Sequence, residues 1–303
     1  MEGLKLLPRF KGVSALAIAS VSFGTSAILI RYATEVAALS LAFFRLLIAA
    51  VVMMIFACST RSLVRKLTAT EAFFVIMSGV MLSLHFAAFI FAVKFTTVAN
   101  ATFLVNTSPV MLAVLSPVLI KERTTSREGV GVLAATLGVL LVADVGNGFR
   151  AFSYADISAL VAAAFLSLYS LIGRYLRLRG MSTASYTAYV YSIATILALF
   201  LAETLGSKPF QTYDTTNIIA IVGLALVPTT IGHTLYNYSL GSVKAVTANL
   251  FPLLEPILAS AFAVLLFGEI PTLVQIVGYL LILFAVVIVV TGSSVEQQTK
   301  ALC

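Results

Sequence analysis

Four ionisable side chains lie inside apolar runs of this chain: Arg45, His85, His233 and Glu255. A charged residue at the centre of a membrane helix costs about 2.5–3.5 kcal/mol on insertion scales, so such residues face a cavity or a partner. Glu255, directly before Pro256, could carry a proton or meet a substrate amine; the competing role is a structural ion pair. Arg45 could meet a carboxylate, pair with an acid, or snorkel its long stem to the nearest interface. Around His233 the i, i+3, i+4 rule gathers Thr229, Tyr236 and Asn237 on one helical face, a polar stripe fit to wall a cavity. His85 shares a face with Ser78 and Phe89, and an interhelical hydrogen bond is its alternative to carrying a proton. Thr102 and Asn106 stand four residues apart just before Ser108-Pro109. The candidate substrate contacts are therefore Arg45, His85, Asn106, His233, Tyr236, Asn237 and Glu255, with no residue assigned a catalytic role. Phe89, Tyr169, Tyr186 and Tyr189 could stack on a substrate, whereas Ser22, Thr25 and Ser26 beside Gly24 suit close helix approach.

The elements that must position these groups are membrane helices. Of 303 residues 60% are hydrophobic and only 10% charged, with a mean hydropathy of +1.07; a soluble domain carries roughly 25% charge. Runs near 11–33, 38–58, 71–93, 97–120, 128–146, 154–174, 182–204, 216–239, 245–267 and 272–292 approach the roughly 20 residues that span a bilayer. Strands of a β-barrel would alternate apolar and polar residues, but Val274–Val290 is apolar on every face. The expected fold is an all-α membrane protein of ten transmembrane helices.

The net charge of +7 reflects topology rather than nucleic-acid binding. With the N-terminus inside, fourteen Lys and Arg fall on the cytoplasmic side and only Arg31, Lys94, Arg150 and Lys208 opposite. The positive-inside rule then sets both termini in the cytoplasm. The first apolar run is too long for a cleaved signal and reads as an uncleaved helix. Cys58 and Cys303 fall at cytoplasmic positions, where no disulfide is expected.

A second pattern runs along the chain. Ala101, Pro109, Glu122, Thr125 and Gly131 recur as Ala248, Pro256, Glu269, Thr272 and Gly278, all 147 residues later, and Thr102 faces Asn249 at the same offset. Over the first three spans the match fades. Five spans per half force the second copy to run opposite to the first, giving two inverted five-helix repeats, residues 1–146 and 147–303, with a Gly146-Asn147-Gly148 turn at the seam. Pro109 and Pro256, with Pro117, Pro228 and Pro252, are expected to kink their helices and free carbonyls.

There is no GxxxxGK[ST] phosphate loop and no HExxH helix, so neither ATP hydrolysis nor zinc chemistry is indicated. No cofactor or metal is expected, and no GxSxG element exposes a nucleophilic serine.

Leu253-Leu254-Glu255-Pro256 followed by Phe267-Gly268-Glu269 resembles the end-of-repeat signature of the EamA domain in the drug/metabolite transporter superfamily. Thr107-Ser108-Pro109 with Lys121-Glu122-Arg123-Thr124 is its counterpart in the first half, and Leu41-Ala42-Phe43-Phe44-Arg45-Leu46-Leu47 is similar to that family's second helix. The family commonly has a tryptophan in its first helix; here Phe23 stands in that neighbourhood. The resemblance implies a ten-helix inner-membrane carrier with a central cavity. The expected function is alternating-access transport of a small polar metabolite, an amino acid or derivative, with the lipid bilayer and the substrate as partners and protons as a candidate coupling ion. The rivals are an antiporter of organic anions such as S-adenosylmethionine or nucleotide-sugars, a passive channel and, more distantly, an intramembrane enzyme.

Overall fold

The computed structural model describes residues 2–64, 66–142, 153–258 and 270–302, and these are helical with no strand among them. The helices are α1 (Glu2–Phe23), α2 (Ser26–Tyr32), α3 (Ala38–Ser59), α4 (Ala69–Phe95), α5 (Val98–Val105), α6 (Ser108–Leu119) and α7 (Ser126–Val142). After the undescribed segment follow α8 (Tyr154–Leu178), α9 (Thr183–Thr204), α10 (Thr215–Leu224), α11 (Thr234–Ser239), α12 (Ala245–Leu250) and α13 (Leu273–Leu302). Eight stretches among the described residues are long and apolar enough to cross a membrane: Phe10–Tyr32, Ala38–Ser59, Ala69–Phe95, Asn100–Leu119, Tyr154–Leu178, Thr183–Thr204, Thr215–Ser239 and Leu273–Gly292. The other two expected spans run up to the limits of description, α7 at Val142 and the shorter Ala245–Leu258 at its C-terminal end. The Gly146-Asn147-Gly148 seam and Phe267-Gly268-Glu269 lie outside the described residues.

Four of the ten expected spans are interrupted, and freed carbonyls find hydroxyl partners. The first breaks at Gly24-Thr25, where the Thr25 hydroxyl donates to the Ser22 carbonyl at 2.8 Å. The fourth breaks at Asn106-Thr107, so Pro109 stands in the first turn of a new helix instead of kinking a continuous one. There its missing N–H costs nothing. The Thr107 hydroxyl donates back to Leu104 O at 2.7 Å. In the eighth, Ala225–His233 is wound as a π-helix around Pro228. Proline lacks the N–H that would have bonded the carbonyl four residues back, Leu224 O, and the Thr229 hydroxyl takes that oxygen at 2.7 Å. Pro117 likewise frees Ala113 O, which accepts from the Thr124 hydroxyl at 2.9 Å. The ninth passes from α12 through a tight 3₁₀ turn at Pro252–Leu254 into a helical turn over 255–258.

Packing exchanges elements between the halves of the chain. α3 lies along α9 and α7 along α13; α4 packs on α8, while α1 and α2 pack on α10, the π-helical stretch and α11. The α7–α13 crossing is close: a Cβ on Gly138 or Gly278 would sit 2.6 Å from the other's carbonyl oxygen. Lipid-length helices lack a hydrophobic drive to associate, so small residues that let backbones approach do that work. The outer face of α13 presents Leu273, Leu280, Leu283, Phe284 and Val287, apolar side chains suited to lipid tails.

One end of the bundle is fastened by ions. Arg174 of α8 meets Glu122 Oε1 through Nη2 at 2.9 Å and Nε at 3.1 Å, and its Nη1 donates to Leu240 O at 2.7 Å. Beside it Glu128 accepts from Lys244 Nζ at 3.0 Å and from the Thr247 hydroxyl at 3.1 Å.

Candidate functional site

The helix interruptions meet at a cavity in the middle of the bundle. Arg45, His85, Asn106, His233, Tyr236 and Glu255, six of the seven residues singled out from sequence, line it. The space open to the centres of water-sized molecules is about 60 Å³, room for a few waters at roughly 10–15 Å³ each.

Arg45 does not snorkel, and it pairs with no acid among the described residues. It is 1% exposed, its Nε donates to the Thr229 hydroxyl at 2.9 Å, and its Cζ lies 3.7 Å from the centroid of the Phe86 ring. A guanidinium over an aromatic face is attracted by the ring quadrupole, more strongly where water is excluded. The stack and the hydrogen bond fix the group, yet Nη1 has no partner among the described residues. A buried donor left so is costly, and here it marks a place for an external acceptor.

Glu255 enters from the other half at the start of the turn that follows Pro252–Leu254. It is buried and has no hydrogen-bond or ionic partner among the described residues. Thus the cavity holds one fixed cation and one carboxylate that do not pair with each other.

The histidines meet edge to face, with ring centroids 6.2 Å apart and planes at 62°. His85 Nδ1 lies 2.9 Å from Ala162 O. A carbonyl only accepts, so Nδ1 carries the proton and a neutral ring offers Nε2 as an acceptor. Phe89, one turn on, stacks on His85 with planes 6° apart. His233 is held edge-on by Phe23 and Phe86, both at 4.9 Å, and its Nδ1 has no partner among the described residues. Asn106, buried at the break between α5 and α6, likewise keeps Nδ2 unpartnered among them.

Tyr236 is positioned by a buried network. Its hydroxyl donates to Ser170 Oγ at 2.7 Å and accepts from Asn249 Nδ2, while Asn249 Oδ1 accepts from the Ser108 hydroxyl at 3.3 Å. Four helices, α6, α8, α11 and α12, are tied at that point. Asn237 is the residue the cavity does not include. It follows Tyr236 by one position, about 100° around the helix, and its amide donates to the Tyr169 hydroxyl and to His233 O. Tyr169 and Tyr186 are enclosed behind the cavity, Tyr186 bonding Ser78 at 2.5 Å.

Sequence reasoning noted Asn249 only as the counterpart of Thr102 and did not single out Phe86. An amide side chain in the short apolar α12 segment, so close to Pro252, is the available signal for the first. Nothing in the sequence distinguishes Phe86 from the other twenty phenylalanines.

Compared with known proteins, the chain matches the EamA-like transporter family over residues 10–143 and again over 153–291. An uncharacterized transporter of Archaeoglobus fulgidus is 24% identical over 243 residues, 79% of this chain and 83% of that protein. The uncharacterized transporter YdfC of Bacillus subtilis is 30% identical over 240 residues, covering 78% and 77%. A probable amino-acid metabolite efflux pump of Salmonella typhimurium is 25% identical over 232 residues, covering 73% and 78%. A crystal structure at 16% identity aligns over 93% of this chain and 97% of its own with a TM-score of 0.75, so the two share a fold. With matched segments taking in most of its length and helices able to cross a bilayer, this chain belongs to the EamA-like transporter family of the drug/metabolite transporter superfamily, and is a multi-pass membrane protein.

Proposed function

We propose that the chain is a secondary transporter of a small polar metabolite, an amino acid or derivative, working by alternating access across the cytoplasmic membrane. The observation that carries this is the pair Arg45 and Glu255: a buried guanidinium and a buried acid in one cavity, neither with a protein counter-ion among the described residues. A zwitterion satisfies both, its carboxylate on the guanidinium and its ammonium on the acid. Asn106, His85, His233 and Tyr236 supply further polar contacts, while Asn237 acts from behind through Tyr169. The printed name of the Salmonella relative, an amino-acid metabolite efflux pump, agrees with this class. An exchanger of nucleotide-type anions fits less well. Phosphates call for several charge-assisted donors, and one guanidinium lines the cavity.

We take the architecture as ten membrane helices in two inverted five-helix repeats, residues 1–146 and 147–303. The double family match supports it. So do local features set 147 residues apart. Thr97 and Lys244 are both N-caps, and the breaks at Asn106-Thr107 and at Leu253-Leu254 correspond. Thr125 with Glu128 forms the same capping box as Thr272 with Gln275. The exchanged packing of α3 on α9, α7 on α13, and each half's first crossing on the other's third is the pattern a pseudo-two-fold axis in the membrane plane requires. By the charge distribution, the end bearing Glu122–Arg174 and Glu128–Lys244 faces the cytoplasm, as do both termini. The driving force is the substrate gradient or protons, with Glu255 as the carrier.

Counterflow of labelled amino acids into proteoliposomes tests this. Arg45→Gln and Glu255→Gln should each lower uptake at least about tenfold, the equivalent of losing one hydrogen bond to a charged group. Full, pH-coupled uptake by Glu255→Gln would remove that residue from the mechanism, and flux that never saturates would replace the carrier with a channel.

A further inference from the structure

The first crossing breaks beside the cavity, and the last residue before the break is Phe23. Its ring lines the cavity, meets His233 edge-on at 4.9 Å and tilts against Tyr236 at 6.4 Å. Phe23 is only partly buried, unlike the two residues it touches. Its seat is Gly232. A Cβ added there would lie 2.9 Å from Phe23 Cε1 and 3.1 Å from Cδ1, with Ser22 Cβ at 3.3 Å. Contacts that short force a movement, and the outer edge of the phenyl ring is the part able to give.

We infer that Phe23, seated on Gly232, sets the size of the apolar group that the cavity admits. This rests on the cavity being the transport site, but concerns two residues that carry no polar contact there. Arg45 and Glu255 can hold only what all amino acids share, so discrimination among side chains falls to the apolar lining. Phe86 is committed beneath the Arg45 guanidinium and Phe89 is stacked parallel to His85, and both rings are buried, whereas Phe23 is not. Phe23 touches its neighbours by its edge, at a helix end, over a glycine. It is the ring whose position can change while the charged contacts stay.

The two positions therefore act in opposite directions. Phe23→Ala enlarges the apolar subsite, and Gly232→Ala drives the ring inward and shrinks it. One methylene in an apolar pocket is worth about tenfold or more in discrimination, so the ratio of leucine to alanine counterflow should rise at least about tenfold in Phe23→Ala. It should fall in Gly232→Ala and return toward the parent value in the double variant. Phe23→Leu serves as the milder change should the alanine variant fail to fold. In parallel, Asn106→Cys in a background with Cys58→Ser and Cys303→Ser is titrated with methanethiosulfonates of rising width, with and without each change. Broad reagents should react faster when Phe23 is trimmed and slower when Gly232 is filled. Ratios that stay within about twofold in both variants, or move the same way, overturn the inference. If the parent chain moves no amino acid, the transport reading fails, and the reagent series still rules on Phe23.

Discussion

The Arg45 guanidinium depends on Thr229 in the opposite half: the Thr229 hydroxyl accepts from Nε at 2.9 Å while donating to Leu224 O at 2.7 Å. That oxygen lies four residues before Pro228, which has no N–H to offer it. A single hydroxyl thus ties the backbone beside the proline to the cation that faces the cavity.

Thr229→Val removes both bonds at nearly constant volume. Stability should fall by about 1–3 kcal/mol, the cost of leaving buried polar groups unsatisfied. Thermal denaturation in detergent measures it, and Thr229→Ser should restore most of the loss. A valine variant as stable as the parent would show that Arg45 is held by Phe86 alone.

The two ion pairs at one end of the bundle should respond unequally. Arg174 and Glu122 side chains are 10% and 14% exposed, whereas Lys244 is 33% exposed. Arg174→Met strands a mostly buried carboxylate and should cost about 3–5 kcal/mol. Lys244→Met leaves Glu128, itself only 2% exposed, without its cation but with its bonds from Thr125 and Thr247, and should cost less, about 1–3 kcal/mol. Melting points of the two variants, taken side by side, decide this.

Two glycines of α7 make an internal control. Gly138→Ala pushes a methyl onto the Gly278 carbonyl and should destabilise by about 1–3 kcal/mol through overpacking. Gly129→Ala meets nothing within 4 Å and should stabilise, by up to about 1 kcal/mol, through helix propensity. Equal effects would mean that the α7–α13 crossing is not close packed.

Asp214 caps α10 from outside the membrane span, accepting at 2.7 Å from both the backbone and the side-chain amide of Asn217. Those bonds favour the carboxylate and hold its pKa below the ordinary 3.8. Its stabilisation is therefore present above that value and lost as pH falls through the lower, folded one. The melting-point gap between the parent and Asp214→Ala should hold steady from neutral pH down to about the ordinary carboxylate range and close below it. A gap that widens on acidification would contradict the assignment.

Much of this was legible in the chain. Length and apolarity give the helices, and a charged residue in an apolar run must be enclosed, which is how Arg45 and Glu255 stand out. Prolines marked the interruptions, although Pro109 starts a helix where a kink was expected, because Asn106 and Thr107 end the preceding one. The polar stripe around His233 is wider than the cavity's share of it: Tyr236 faces the cavity, while Asn237, about 100° further round the same helix, turns to Tyr169. The 147-residue match fades over the first three spans because lipid accepts any of Leu, Ile, Val or Phe, so those positions keep little memory of register. Phe86 and Gly232 matter through what lies next to them in space, which one sequence does not reveal.

The winding of Ala225–His233 has a further consequence. Each residue of an α-helix advances the chain by about 100°, so an extra residue accommodated upstream sets the azimuth of all that follows. Excising one residue there, with no change of side-chain chemistry, would swing Tyr236 away and bring its successor Asn237 round instead. Insertions and deletions, rather than substitutions alone, are therefore a route by which this scaffold can acquire a different selectivity.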